Sequence, residues 1–134
     1  MMIKQIGIVI ARFHASFADV MLESAKKTAE TEGLKIRKII SVAGVFDIPL
    51  QVQGLLKDKG IDGVAALGVV VQGVSDHDIL VTRECSRALV DLSLRFEKPV
   101  TIGIIGPRIT MREAEKRLQS YAQRAILALN STVE

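Results

Sequence analysis

The sequence predicts an α/β fold, in the form of a three-layer α/β/α sandwich built around a parallel four-stranded sheet. Four short segments rich in Val, Ile and Leu alternate with longer segments whose apolar residues recur at helical spacing. Aromatic residues make up only 4% of the 134 residues and Trp is absent, so the core must be aliphatic. Such β-branched segments are typical of parallel strands that are covered on both faces.

The first strand and the first helix are predicted at the start of the chain. Residues 6–11 form a nearly continuous apolar segment, which is typical of a buried strand. Between Phe17 and Ala29, apolar side chains recur every three or four residues, as on one face of a helix. Gly33 follows as a stop, because glycine readily adopts the left-handed backbone that ends many helices.

Two further units of strand and helix follow. Residues 34–42 are rich in Ile and predict the second strand, and Pro49 marks the first turn of the second helix. Residues 63–71 are the most hydrophobic segment, which predicts a central strand buried on both faces. The apolar positions within residues 81–96 predict a long helix, on which Cys85 is expected to belong to the core.

The fourth unit completes the predicted sheet. Residues 100–105 form its strand, and Thr110 and Glu113 have the spacing of a capping box, in which hydroxyl and carboxylate bind free helix amides. The apolar residues within 114–129 predict one helix that runs to the C-terminus. Four such units predict a parallel sheet joined by right-handed crossovers, and the length suits a single domain over residues 1–134.

The composition limits the classes of function. The formal charge of +3 is spread along the chain, so we expect no nucleic-acid binding, although a modest positive excess suits an anionic small substrate. No apolar segment reaches the roughly 18 residues that a membrane helix needs. The single Cys85 excludes an internal disulfide, and residues 1–11 lack a cleavage-site pattern. We therefore expect a cytoplasmic protein without a membrane partner.

The residues with chemical potential follow the four predicted strands. In open parallel sheets, ligands bind at the carboxyl ends of the strands. We therefore expect the segments after the strands to meet at one rim of the sheet. These segments are Arg12-Phe13-His14, Gly44-Val45-Phe46-Asp47, Gly73-Val74-Ser75-Asp76-His77 and Gly106-Pro107-Arg108.

The third of these segments is the best candidate for an anion site. Gly73 permits close approach of the backbone, and Ser75 lies just before a helix whose free amides attract phosphate. The alternative is that Ser75 or Asp76 only caps that helix. His77 adds a side chain that transfers protons near neutral pH, although a lone histidine is more often structural or superficial.

Phe13 and Phe46 are candidates for stacking on a flat heterocycle. They are two of only five aromatic residues, and both fall in predicted rim loops. Anchoring of those loops onto the core explains the two residues equally well. Asp47 could accept hydrogen bonds from substrate hydroxyls, or it could cap the helix that opens at Pro49.

Other chemistries fit the sequence badly. One Cys and two His cannot form a zinc site of the usual composition without carboxylates, and we expect no metal. The glycine-rich motifs that bind dinucleotides or nucleoside triphosphates are absent. No Gly-x-Ser-x-Gly motif provides a nucleophile for ester chemistry.

Two of the rim segments resemble motifs of the lumazine synthase family. Gly44-Val45-Phe46-Asp47-Ile48-Pro49 resembles that family's Gly-Ala-Phe-Glu-Ile-Pro motif. Residues 67–77 are similar to its Leu-Gly-x-Val-Ile-x-Gly-x-Thr-x-His loop. With Arg12-Phe13 and Pro99-Val100, the resemblance covers nearly the whole chain and is closest to archaeal members. It implies a flavodoxin-like sandwich with strand order 2-1-3-4 and no cofactor.

The resemblance also implies an activity and a set of site residues. Members of that family are transferases that condense 5-amino-6-(D-ribitylamino)uracil with 3,4-dihydroxy-2-butanone 4-phosphate and release phosphate, in riboflavin biosynthesis. By similarity, His77 would be the catalytic proton shuttle. The residues that bind the ribitylamino-uracil would be Phe13, His14, Val45, Phe46, Asp47, Val69, Val70, Val71 and Ile102. Those that bind phosphate would be Gly73, Val74, Ser75 and Arg117.

The resemblance further implies a homo-oligomer, either a pentamer or a multiple of one. In this family the sites lie between subunits, so Ile102 and Arg117 would come from the adjacent chain. Four of the implied site residues depart from the frequent pattern: Ile102 replaces Phe, His14 replaces Asn, Asp47 replaces Glu and Ser75 replaces Thr. The chain also has one extra residue between Gly103 and Arg117, and Gln119-Ser120-Tyr121 replaces the usual Lys-rich turn.

Two alternative functions remain open. An archaeal-type riboflavin synthase shares the fold and dismutates two lumazines, but its pattern lacks the His of the third loop and the Phe-Asp pair of the second. A non-catalytic flavin or lumazine carrier, or a shell-forming protein, needs stacking and hydrogen bonds but no proton shuttle.

Overall fold

A central sheet of four parallel strands organises the protein. The computed structural model describes residues 4–132, so residues 1–3 and 133–134 of the predicted domain lie outside the described part. The strands are β1 (Gln5–Ala11), β2 (Lys35–Val42), β3 (Gly63–Val69) and β4 (Val100–Ile105). Their order across the sheet is β2-β1-β3-β4 and every pair is parallel, which confirms the predicted order.

Helices connect the strands and cover the sheet. They are α1 (Ala15–Thr31), α2 (Ile48–Leu56), α3 (His77–Phe96), α4 (Met111–Glu115) and α5 (Leu118–Thr132), and a 3-10 turn (Val45–Asp47) precedes α2. Among residues 4–132, no helix combines the length and the apolar character needed to cross a bilayer.

The core has two halves, one on each face of the sheet. Side chains alternate along a strand, so Ile8 and Ile10 pack with Leu67 under α1 and α5, whereas Val9 packs with Ala66 under α2 and α3. Every residue of β3 is buried, as expected for a strand with helices on both faces. The predicted three-layer sandwich is therefore confirmed.

Two local predictions are also confirmed. The amide of Glu113 donates to Thr110 Oγ1 at 3.1 Å, and the amide of Thr110 donates to Glu113 Oε1 at 3.0 Å, which is the capping box. Cys85 is buried between α3 and the sheet, and this burial raises the pKa of its thiol to about 11. Gly33 follows α1 with a φ of 73°, the left-handed conformation expected at a helix end.

Two predicted boundaries are wrong. The expected C-terminal helix is interrupted, because the amide of Arg117 donates to the carbonyl of Ala114, only three residues back, and this tighter turn separates α4 from α5. The third strand ends at Val69 rather than at residue 71. Its neighbour β4 ends at Ile105, the residue that pairs with Val69. Gly106 follows with a φ of 119° and turns the chain away from the sheet.

Candidate active site

A pocket of about 230 Å³ opens at the carboxyl ends of β1 and β3. Segments that follow three strands form its walls, which agrees with the expected rim for those segments. Eight predicted site residues line it, together with Gly44 and Val81. The full lining is Phe13, His14, Gly44, Val45, Phe46, Val69, Val70, Val71, His77 and Val81.

The first wall carries an aromatic ring at the mouth of the pocket. Phe13 is 78% exposed, and its ring makes a T-shaped contact with the ring of His14 at a centroid distance of 5.0 Å. His14 in turn lies 5.7 Å from the buried ring of Phe17, which connects the pair to the core. Arg12 forms an ion pair with Asp19 at 2.6 Å and does not line the pocket. Phe13 is thus held in place with most of its surface free.

The second wall is the 3-10 turn before α2. Val45 is buried and anchors the turn, while Phe46 is 62% exposed and lines the pocket. The carboxylate of Asp47 accepts a hydrogen bond from the amide of Gly44 at 3.0 Å, and Asp47 does not line the pocket. Asp47 precedes α2 but makes no side-chain cap to it. Its carboxylate therefore stabilises the turn that presents Phe46.

The third wall is the segment after β3. Val70 and Val71 are half-buried and line the pocket, and exposed His77 is the first residue of α3. The residue that precedes α3 is Asp76, whose side chain makes no capping hydrogen bond. Simple helix capping therefore does not account for this segment. Its remaining residues are exposed and lie beyond the pocket lining, namely Gly73, Val74 and Ser75.

The fourth rim segment does not line the pocket but supports it from behind. Gly106 lies directly against the carbonyl oxygen of Val70, so a Cβ at this position would collide with it. The amide of Gln72 donates to the carbonyl of Ile109 at 2.8 Å. The segment after β4 therefore braces the segment after β3.

Ile102 and Arg117 belong to parts of the chain that do not form the pocket at all. Ile102 is on β4, in a separate groove that Tyr121 and Arg124 also line. Arg117 is exposed between α4 and α5, and its guanidinium donates to the carbonyl of Glu113 at 2.8 Å. Their expected contribution to an adjacent subunit stays a prediction.

Sequence reasoning missed two lining residues. Val81 follows His77 by four residues on α3, so helical spacing could have placed both side chains on the pocket side. Gly44 belongs to the second rim segment but has no side chain that would suggest a role.

The pocket offers stacking and proton transfer. Its titratable side chains are His14 and His77, and the rings of Phe13 and Phe46 stand at its mouth. Val71 has no hydrogen-bond partner for its backbone within residues 4–132, whereas the amide of Val70 already donates to Ile105 at 2.8 Å. The same described range contains no group of three or more His, Cys, Asp or Glu side chains arranged to hold a metal ion.

Comparison with known proteins identifies a family. A family model described as 6,7-dimethyl-8-ribityllumazine synthase matches residues 4–134. A protein of that name from Methanothermobacter thermautotrophicus is 44% identical over 124 residues, which cover 92% of this chain and 88% of the relative. The Staphylothermus marinus relative is 42% identical over 125 residues, covering 93% and 83%. The Saccharolobus solfataricus relative is 40% identical over 130 residues, covering 97% and 84%.

Proposed function

Because the chain belongs to the 6,7-dimethyl-8-ribityllumazine synthase family, we infer that it is a transferase of riboflavin biosynthesis. It condenses 5-amino-6-(D-ribitylamino)uracil with 3,4-dihydroxy-2-butanone 4-phosphate and releases inorganic phosphate. One observation supports placing this reaction at the rim of the sheet: Phe13, Phe46 and His77 line the same pocket. Residues 1–134 then act as one lumazine synthase domain.

The pyrimidine of the first substrate binds between the aromatic mouth and the end of β3. Phe13 stacks on the ring, since most of its surface is exposed and a T-shaped contact with His14 holds it in place. Val71 pairs through its backbone with the polar edge of the ring, because the amide of Val70 is already used within the sheet. Val69 and Val70 contribute apolar contacts beneath the ring.

The ribityl chain runs toward the 3-10 turn. Val45 and Phe46 form its apolar wall, and both line the pocket. Asp47 reaches the ribityl hydroxyls with the lone pairs that its hydrogen bond to Gly44 leaves free. This shared use of one carboxylate would fix the turn and the sugar chain together.

The phosphate of the second substrate binds the exposed segment before α3. The backbone of Gly73, Val74 and Ser75 lies at the N-terminus of a 20-residue helix, where free amides and the helix dipole favour an anion. Arg117 of an adjacent subunit completes the phosphate site. Its guanidinium can bind two phosphate oxygens in a planar fork.

His77 moves protons between the two substrates. It stands at the junction of the pocket and the phosphate segment, where the amine and the ketone meet. A neutral imidazole can accept a proton as the imine forms and return it as phosphate leaves and the ring closes. His77 and His14 are the two histidines in the pocket lining, and the other lining residues carry no acidic or basic side chain.

The active form is a cytoplasmic homopentamer or a multiple of it. Ile102 and Arg117 lie away from the pocket of their own chain, so a neighbouring copy is needed to bring them to a site. Large apolar side chains are also exposed on α2 and α3, namely Leu50, Leu80, Val90 and Leu94. Contiguous apolar patches mark surfaces that associate, and α2 and α3 lie side by side, so these residues are the candidates for such a patch.

A direct assay tests this function. The purified protein is incubated with both substrates, and the absorbance of the lumazine product is followed. We expect lumazine to accumulate only when both substrates are present. A protein that makes no lumazine but converts added lumazine into riboflavin would be a riboflavin synthase, and one that binds lumazine without turnover would be a carrier.

A further inference from the structure

One buried carboxylate next to His77 has no part in the proposed chemistry. Asp78 is 5% exposed, and it is the one charged side chain that is buried among residues 4–132. Its Oδ2 accepts a hydrogen bond from the amide of Arg108 at 2.8 Å. A carboxylate so far from water requires such partners, because burial of an unpaired charge is unfavourable. Asp78 therefore joins α3 to the segment after β4.

The partner of Asp78 has an unusual backbone. Arg108 has a φ of 59°, in the left-handed region that non-glycine residues seldom adopt. Its amide points away from the strand ladder and toward α3, where Asp78 is the acceptor. The first turn of α3 is fixed as well, because the hydroxyl of buried Thr82 donates to the carbonyl of Asp78 at 2.8 Å. The acceptor is thus held on a rigid helix.

This hydrogen bond is the last of three contacts between two segments. Gly106 packs against the carbonyl of Val70, Gln72 donates to Ile109, and Asp78 accepts from Arg108. The contacts are spread over residues 70–78, which include the pocket residues Val70, Val71 and His77. The third wall of the pocket is consequently fixed at its start, in its middle and at its end.

We propose that Asp78 is a positioning residue for the reaction, which acts by holding the amide of Arg108. The hydrogen bond ties residues 106–109 to the first turn of α3 and so fixes His77 at its place beside the pocket. Asp78 does not touch the substrates. This proposal rests on the proposed function, because His77 needs a fixed position only if it takes part in the chemistry.

Three variants and one control test the role of Asp78. Asp78→Ala removes the acceptor, Asp78→Asn keeps an oxygen that can accept from Arg108, and Asp78→Glu moves the carboxylate by one methylene. Asp91→Ala is the matched control, because Asp91 is an exposed residue of the same helix. The measurements are kcat, KM for both substrates, and amide hydrogen exchange over residues 70–77 and 106–109, with β1 and β3 as reference segments.

We expect Asp78→Ala to lower kcat by about tenfold or more with a smaller change in KM, since small misplacements of catalytic groups are costly. Exchange should accelerate in the two loops and not in β1 or β3. Asp78→Asn should retain about half of kcat or more, because the amide oxygen replaces the lost acceptor. Asp78→Glu should lower kcat, because its carboxylate is displaced from the amide of Arg108. If Asp78→Ala does not fold, kcat of Asp78→Glu tests the positioning role in its place.

Three results would overturn the proposal. The first is a folded Asp78→Ala or Asp78→Glu variant with kcat within about twofold of the parent. The second is an Asp78→Asn variant whose kcat is as low as that of Asp78→Ala. The third is amide hydrogen exchange in Asp78→Ala that accelerates equally throughout the sheet. The exchange measurement requires no substrate. A parent protein that forms no lumazine would therefore refute the function, while the exchange pattern still reports on the Asp78 contact.

Discussion

The carbonyl oxygen of Val70 occupies the space beside the Cα of Gly106 in which a side chain would begin. Gly106 also has a φ of 119°, which L-residues with a side chain rarely adopt. Two independent constraints therefore require glycine at this position. Because Val70 lines the pocket, the requirement links the backbone after β4 to the geometry of the candidate site.

Substitution of Gly106 should be strongly destabilising. In Gly106→Ala, the new Cβ meets backbone that cannot move aside as a flexible side chain would, and the φ angle is unfavourable as well. We expect a loss of about 3 kcal/mol in the free energy of unfolding, measured with urea. Gly54→Ala on α2 is the control, because no atom lies near its Cβ position. It should increase stability by roughly 0.5–1 kcal/mol. An equal effect of both substitutions would contradict this explanation.

Removal of the Phe13 ring should weaken binding of the uracil substrate. The ring is largely exposed at the mouth of the pocket, so Phe13→Ala leaves the core intact. Stacking of an aromatic side chain on a base contributes about 1–3 kcal/mol, so KM for the uracil should rise by about tenfold. KM for the butanone phosphate should change much less. Leu127→Ala, which truncates an exposed residue of α5, provides the comparison. An unchanged KM in Phe13→Ala would exclude stacking.

Loss of His77 should lower turnover more than affinity. General acid and base catalysis contributes about 100-fold to 10,000-fold, so kcat of His77→Ala should fall by about 100-fold or more. His77→Asn distinguishes proton transfer from simple hydrogen bonding, because an amide keeps donor and acceptor atoms but does not titrate. Both variants should bind lumazine and assemble as the parent does. Full turnover in either variant would remove His77 from its proposed role.

The capping box should make stability depend on pH. Hydrogen bonds from the amide and then the hydroxyl of Thr110 hold the pKa of Glu113 below its ordinary value of 4.5. The ionised carboxylate therefore favours the folded state above pH 4.5, and this contribution is lost as pH falls through the lower pKa of the folded protein. The difference in urea midpoint between the parent and Glu113→Gln should accordingly shrink on acidification. Glu115→Gln, which changes an exposed neighbour on α4 outside the capping box, is measured alongside as the comparison.

Much of the fold could be predicted because the sequence patterns are local. Apolar segments gave the four strands, and the burial of both faces of β3 follows from its uninterrupted apolar residues. The separation of α4 from α5 could not be predicted. The apolar spacing continues from α4 into α5. The helix is interrupted by a hydrogen bond from the amide of Arg117 to the carbonyl of Ala114, three residues back instead of four.

The residues of the site were predictable to the extent that they follow strands. Phe13, Phe46 and His77 meet because the carboxyl ends of parallel strands share one rim. The contact between Asp78 and Arg108 could not be predicted, since it depends on how the chain returns 30 residues later. Nor could the sequence show that the carboxylate of Asp47 binds the amide of Gly44, because the residue type alone suggested only substrate hydroxyls or the helix at Pro49 as partners.

The most direct test of the proposed reaction counts both of its products in one experiment. Phosphate and lumazine are measured together while the purified protein turns over the uracil and the butanone phosphate. The reaction proposed here predicts equimolar phosphate and lumazine, with both signals reduced in parallel in His77→Ala. Phosphate release without lumazine, or riboflavin formation from lumazine without phosphate, would contradict it.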